Sequence, residues 1–124
     1  MGGRNVHPAE FDARIRHGTT VWVFQKRFCS SCAAVARLLP ALEARFPDLA
    51  FYPLDVDDAP DLARRLDIFG VPSLVAFHRG YEIARWVSGA PKSREGLERF
   101  LARVVQIAHA LDETLAERSP DARA

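Results

Sequence analysis

The chain has 124 residues, of which 48% are hydrophobic and 27% are charged, and its net charge is +1. This length and composition are typical of one globular domain that buries its own core. The charge balance gives no reason to expect nucleic acid or a membrane surface as a partner, and no apolar run approaches the roughly 18 residues of a membrane span. We therefore expect one domain over residues 1–124, with a core of about residues 8–117 between frayed ends.

The predicted elements of the first half alternate between helix and strand. Residues 8–18 begin with proline and end with glycine, which predicts a short helix. Residues 19–24 (TTVWVF) form a β-branched and aromatic run, which is typical of a strand covered on both faces. Beyond them, an apolar stripe at helical spacing predicts a helix that Pro40 should kink. The members of this stripe are Val35, Leu38, Leu39, Leu42 and Phe46.

The second half contains three predicted strands and two helices. The strands cover residues 49–57, 71–78 and 81–87, and the short helix lies near residues 59–67. Arg79-Gly80 is a tight hairpin signal between the last two strands. A final helix follows, with Ser93 as its expected N-cap. Its predicted buried side consists of Leu97, Phe100, Leu101, Val104, Ala108, Leu111 and Leu115.

The order of these elements predicts the fold class. A helix joins the first two strands, so we expect them to be parallel with a right-handed crossover. The final two strands form a hairpin and must be antiparallel. The sequence therefore predicts a mixed central sheet flanked by helices, an α/β/α sandwich.

The two cysteines of the chain, Cys29 and Cys32, stand between the first strand and the second helix. Their spacing brings both sulfurs to one side of the first helical turn, close enough to bridge. The unpaired backbone N–H groups and the partial positive charge of a helix N-terminus favour a thiolate at Cys29. Lys26 and Arg27, just upstream, add to this effect if they point inward. Such a thiolate can attack a disulfide, and Cys32 can then displace the mixed disulfide.

Other roles for the cysteine pair stay open. The first twenty residues lack the apolar segment of a signal peptide, so we expect a cytoplasmic protein, in which a structural disulfide is uncommon. A zinc site needs four ligands, and no second Cys or His pair has ligand spacing. A [2Fe–2S] cluster shared by two protomers remains an alternative. The four histidines are expected at the surface: His7, His17, His78 and His109.

Two further residues are candidates for binding a substrate. A cis bond before Pro72 would bend the chain toward the dithiol and leave the neighbouring carbonyl and N–H groups free to pair with an extended chain. Phe28 is an apolar residue beside the nucleophile, which suits a docking surface if its ring is exposed.

Together these motifs resemble the thioredoxin-like family. A Cys-x-x-Cys motif after a strand of a βαβ unit is a known sequence sign of that family. Here "FCSSC" is accompanied by "LDVDD", "GVPSLVAFHRG" and "VSGAP". The resemblance covers nearly all of residues 19–105. It implies a thioredoxin-like fold, with Cys29 as the nucleophile and Cys32 as the resolving cysteine.

The resemblance also implies where a substrate binds. It places the family's cis-proline at Pro72 and assigns contact with the substrate backbone to Val71. Gly89 and Ala90 correspond to a third side of the substrate groove.

Three of the positions that depart from the family's usual pattern bear on the chemistry of the dithiol. Ser30 and Ser31 separate the cysteines where thioredoxin itself usually has Gly-Pro. Hydrogen bonds from their hydroxyls to the thiolate would favour the reduced form and make the disulfide more oxidising. Val23 replaces the buried acid that usually lies six residues before the first cysteine. The usual proton acceptor for Cys32 is then missing, and we expect slower turnover as a reductase.

The sequence therefore predicts a thiol–disulfide oxidoreductase that acts on protein disulfides through Cys29 and Cys32. Because the dithiol itself carries two electrons, no cofactor or metal is predicted, but an upstream reductase must regenerate the dithiol. We expect a cytoplasmic monomer. The alternative is a thioredoxin-fold module that senses redox state or holds a [2Fe–2S] cluster without turnover.

Overall fold

The computed structural model describes residues 7–87 and 91–118 of the chain. A 3₁₀ turn at Pro8–Glu10 leads directly into the first helix. In chain order, the elements of these residues are α1 (Phe11–Arg14), β1 (Thr19–Gln25), α2 (Ser30–Arg45), β2 (Leu49–Asp55), α3 (Pro60–Arg65), β3 (Ser73–His78), β4 (Tyr81–Val87) and α4 (Arg94–Arg118). No helix among the described residues is both long and apolar enough to cross a membrane.

The strands form one mixed sheet in the order β2-β1-β3-β4. β1 and β2 are parallel, whereas the β1–β3 and β3–β4 pairs are antiparallel, which confirms the predicted topology. The register pairs Gln25 with Asp55, and it pairs Ser73 with both Phe24 and Val87. The chain therefore leaves β1, β2 and β4, and enters β3, at one end of the sheet. We call this the loop end.

Helices cover both faces of the sheet. One buried cluster joins the sheet to α2 and α4, and a second joins it to α1 and α3. Successive residues of β1 enter different clusters, with Val21 and Val23 in the first and Trp22 and Phe24 in the second. This two-sided burial explains the continuous apolar run of β1 and confirms the predicted sandwich.

The turn and cap predictions are confirmed as well. Arg79 and Gly80 have φ angles of 51° and 95°, and two positive φ angles are what a type I′ hairpin turn requires. Ser93 Oγ accepts a hydrogen bond from the Gly96 N–H at 3.0 Å, which makes Ser93 the N-cap of α4. Pro40 lies inside α2 without ending it.

Three burial predictions are wrong. His78, expected at the surface, is buried in β3, and its ring nitrogens lie 2.8 Å from Thr19 Oγ1 and 2.8 Å from Asp112 Oδ1. Leu111 and Leu115, expected on the buried side of α4, are exposed. The 25 residues of α4 span about 37 Å, whereas a 7-residue strand such as β1 spans about 23 Å. The C-terminal turns of α4 therefore extend past the sheet.

Candidate active site

The two cysteines lie at the start of α2. Cys29 is the N-cap, with an extended backbone (φ −117°, ψ 107°), and Cys32 lies in the first turn. They form a disulfide, with Cα atoms 5.2 Å apart. The Cys32 N–H donates to Cys29 Sγ at 3.1 Å, so this sulfur occupies the position of a side-chain helix cap. The same N–H is placed to donate to Cys29 Sγ as a thiolate once the disulfide is reduced.

The two sulfurs differ in access. Cys29 is half-buried, whereas Cys32 is 4% exposed. A substrate disulfide can therefore approach Cys29, while Cys32 is accessible mainly from inside the site. Ser31 Oγ lies 3.5 Å from Cys29 Sγ, whereas the Ser30 side chain is exposed. Of the two serines between the cysteines, Ser31 is the one placed to interact with the thiolate.

Phe28 precedes Cys29 and has a fully exposed side chain. Its φ of 57° lies in the left-handed region, which bulky residues rarely adopt. Strained backbone of this kind persists where the surrounding structure imposes it, often at functional sites. An exposed aromatic ring beside the accessible sulfur is what the docking role expected for Phe28 requires.

The loop before β3 lies beside the cysteine loop. The Val71–Pro72 peptide bond is cis, as the resemblance implies. Pro72 directly precedes Ser73, which pairs with Phe24 near the end of β1, so both loops lie at the loop end. Pro72 is buried and Val71 is half-buried. The Ser73 hydroxyl donates to the Gly70 carbonyl at 2.5 Å, which closes the turn around Val71.

The predicted third side of the groove, Gly89 and Ala90, lies outside the described residues. The strand that leads to these two residues, β4, is described. Val87, the last residue of β4, pairs with Ser73, so this segment also departs from the loop end. The role of Gly89 and Ala90 stays a prediction.

A cavity of about 680 Å³ opens beside the disulfide. Its lining includes both cysteines, Lys26 and Arg27 from the preceding loop, and Asp55 from the end of β2. The Lys26 Nζ lies 4.0 Å from Asp57 in an exposed pair, which contributes little to stability. Asp55 is buried, and its Oδ1 accepts the Asp57 N–H at 2.8 Å. A buried carboxylate and two cationic side chains therefore face the same cavity as the sulfurs.

The sequence alone assigns no role to three residues in the strand end and loops around the site. Asp55 reads as the end of a strand. Lys92 reads as part of a polar turn, yet it is buried, and its Nζ donates to the Pro72 carbonyl. Phe69, between α3 and Pro72, is 87% exposed. Its position just before "GVPS" is the one feature of the sequence that could have indicated a role for it. Within residues 7–87 and 91–118, no group of three or more His, Cys, Asp or Glu side chains is placed to hold a metal ion.

The sequence is similar to those of known proteins. The family model for thioredoxin matches residues 4–103. Thioredoxin-1 of Saccharomyces cerevisiae is 32% identical over 84 residues, which cover 67% of this chain and 82% of the yeast protein. Thioredoxin of Staphylococcus aureus is 30% identical over 99 residues, which cover 77% of this chain and 95% of the bacterial protein.

Solved structures share the fold. Mitochondrial thioredoxin 3 of Saccharomyces cerevisiae, in its oxidized form, matches with a TM-score of 0.65 at 27% identity, over 73% of this chain and 84% of that structure. Thioredoxin of Plasmodium falciparum matches with a TM-score of 0.72 at 18% identity, over 81% of this chain and 97% of that structure. The second likeness shows the fold alone.

Proposed function

Because this chain belongs to the thioredoxin family and is a thiol–disulfide oxidoreductase, we propose that it exchanges disulfides with protein substrates and that Cys29 is the attacking thiol. The observation that carries the proposal is the unequal access of the two sulfurs. Cys29 is half-buried and accepts the Cys32 N–H, whereas Cys32 is buried in the first turn of α2. Attack therefore begins at Cys29, and Cys32 acts on the bound intermediate.

The exchange proceeds in two displacements. The Cys29 thiolate attacks one sulfur of the substrate disulfide, a new Cys29–substrate bond forms, the substrate S–S bond breaks, and the first substrate thiolate leaves and takes up a proton. The Cys32 thiolate then attacks Cys29 Sγ. The Cys29–Cys32 disulfide forms, the second substrate thiolate leaves, and two electrons have passed from the protein dithiol to the substrate.

The surroundings of the dithiol support an extended polypeptide as the substrate. We propose that the Val71 peptide groups pair with the backbone of the substrate beside the buried Pro72. Phe28 and Phe69 offer exposed aromatic rings on the loops before Cys29 and before Pro72, and we propose that they contact apolar side chains that flank the substrate disulfide. Gly89 and Ala90 complete the groove in this proposal.

Insulin reduction with dithiothreitol tests the proposal. We expect wild type to accelerate the reaction, and we expect Cys29→Ser and Cys32→Ser each to abolish the acceleration. Mixed with insulin without dithiothreitol, only Cys32→Ser should accumulate a mixed disulfide, because it retains the attacking thiol and lacks the resolving one. Circular dichroism of both variants checks that they are folded.

Three outcomes decide between this and other roles. A folded wild type that reduces insulin no faster than dithiothreitol alone would refute catalysis on proteins and favour a redox-sensing role. A mixed disulfide on Cys29→Ser instead of Cys32→Ser would reverse the assigned order. A brown protein with visible absorption would point to the [2Fe–2S] alternative.

We further propose that the protein works in the cytoplasm with an upstream reductase. Each turnover leaves the Cys29–Cys32 disulfide, so two electrons must return before the next turnover. A reducing compartment can supply them. Fractionation of cells followed by thiol alkylation tests this: we expect the reduced form in the cytoplasmic fraction, and recovery in an extracytoplasmic fraction would contradict it.

A further inference from the structure

Lys92 is a buried lysine just before α4, at the loop end of the sheet. It is 7% exposed, and its Nζ donates a hydrogen bond to the Pro72 carbonyl. The Nζ also lies 5.0 Å from the centre of the Trp86 ring, within the range of a cation–π contact. Desolvation by burial lowers the pKa of Lys92. Because lysines are rarely buried without a partner, these contacts account for the position of the ammonium group.

The carbonyl that Lys92 contacts lies just outside the sheet. β3 begins at Ser73, which pairs with Phe24 on β1 and with Val87 at the end of β4. Pro72 is one residue beyond these pairs. The Lys92 Nζ therefore supplies a donor to a carbonyl at the point where the strand ladder has ended. A buried carbonyl that lost this donor would be left with an unfavourable desolvation cost.

Packed neighbours hold Lys92 in place. The next residue, Ser93, caps α4 by accepting the Gly96 N–H at 3.0 Å. A Cβ atom at Gly96 would lie 2.9 Å from the Trp86 ring, so the glycine allows this ring to pack directly on the first turn of α4. The Trp86 ring, packed on α4, therefore holds the Lys92 side chain independently of any substrate.

The turn that contains Val71 is thus held on both sides. On one side, the Ser73 hydroxyl donates to the Gly70 carbonyl, and on the other, Lys92 donates to the Pro72 carbonyl. We propose that Lys92 is a positioning residue whose bond to the Pro72 carbonyl orients the Val71 peptide groups for pairing with the backbone of a protein substrate. This inference rests on the proposed function, because it requires a substrate that binds along Val71.

The test measures kcat and KM for insulin in matched variants. Lys92→Met keeps the length of the side chain and removes its charge and donor, while Lys92→Arg keeps both. Ser93→Ala is the control, because it weakens the adjacent helix cap without removing the lysine. We expect Lys92→Met to raise KM about three- to tenfold with kcat within about twofold, where tenfold equals about 1.4 kcal/mol.

Further arms separate positioning from a general loss of structure. Lys92→Arg should recover at least part of the rise in KM, and Ser93→Ala should leave KM within about twofold of wild type. The rate with 5,5′-dithiobis(2-nitrobenzoate), a disulfide that lacks a peptide backbone, should change less than the rate with insulin. Equal losses on both disulfides, or the same rise in KM in Ser93→Ala, would overturn the inference.

Other outcomes of this experiment also decide the inference. If Lys92→Met does not fold, Lys92→Leu replaces it, since leucine also lacks a donor, and an unchanged KM in that folded variant would again overturn the inference. If wild type binds and reduces insulin but Lys92→Met matches it, this inference alone fails. If wild type reduces no insulin, the proposed function fails first and this inference falls with it.

Discussion

Cys29 is expected to react as a thiolate, and its alkylation rate tests this. The Cys32→Ser variant keeps the backbone N–H that bonds to Cys29 Sγ at 3.1 Å and leaves a single thiol, because the chain has two cysteines. A hydrogen bond to a charged group contributes about 1.5–3 kcal/mol when fully buried. Cys29 is half-buried, so we take about 1 kcal/mol, and the N-terminus of α2 adds about 0.3–1 kcal/mol.

These two energies predict both the direction and the size of the change in the alkylation rate. A thiolate stabilised by about 1.3–2 kcal/mol is populated roughly tenfold more at pH 7 than in the unfolded chain. A more stable thiolate is also less nucleophilic, with a Brønsted coefficient of about 0.4–0.5. The net gain in rate at pH 7 is then about three- to fivefold. Near pH 10 the Cys29 thiol is ionised in the folded and in the unfolded protein alike. There the folded protein should instead react about threefold more slowly than the unfolded one.

The assay follows iodoacetamide alkylation of Cys32→Ser, folded and in urea, at both pH values. Free cysteine in the same buffers corrects for the effect of urea on the reagent. Adding Ser31→Ala should change the rate by less than about twofold, because the Ser31 hydroxyl lies 3.5 Å from the sulfur. A folded protein that reacts more slowly than the unfolded chain at both pH values would refute the role of the helix N-terminus.

Other variants test the residues around the dithiol and the buried histidine. Phe69→Ser should raise KM for insulin about two- to fivefold, whereas the control Tyr81→Ser, an exposed aromatic at the opposite end of the sheet, should leave KM unchanged. Asp55→Asn should slow release of the mixed disulfide about three- to tenfold in stopped-flow measurements, because its carboxylate lines the same cavity as Cys32 and can accept a proton. The hydrogen bond from His78 lowers the pKa of Asp112, so the ionised carboxylate stabilises the fold above the ordinary carboxyl pKa of about 3.9 and loses this effect as the pH falls through the lower folded pKa. Because Asp112 is 42% exposed, Asp112→Asn should cost at most about 1 kcal/mol in urea unfolding at pH 7, less at high salt, and the difference should vanish near pH 2.

Local features of the fold and of the site follow from the sequence because a few neighbouring residues decide them. The Arg79-Gly80 turn depends on the freedom of two residues to adopt positive φ. The cap at Cys29 depends on a polar atom that can reach the N–H of a residue three positions on. β1 is recognisable because a strand covered on both faces is apolar at consecutive positions.

Features that the sequence does not predict depend on contacts between distant residues. His78 is buried because Thr19 and Asp112, 59 and 34 positions away, satisfy its two ring nitrogens. Lys92 is buried because its ammonium reaches a carbonyl 20 positions earlier in the chain. Both side chains read as surface residues, since burying a polar group is costly. The partners that offset this cost come close to these side chains only in the folded chain.

The sheet separates the two roles proposed for Asp55 and Lys92. Val23 lies in the buried apolar cluster with α2 and α4, and its partners in the sheet are Pro53 and Leu74. Asp55 ends β2, while Lys92 acts on the residue before β3, and these strands flank β1 at a separation of about 10 Å. Effects at such distances usually add. We therefore expect the double variant Asp55→Asn/Lys92→Met to combine the slower release of one single variant with the raised KM of the other, each at its full size. A departure from additivity of more than about 0.5 kcal/mol would show that the two side chains act through one network, and the separation across β1 would then be wrong.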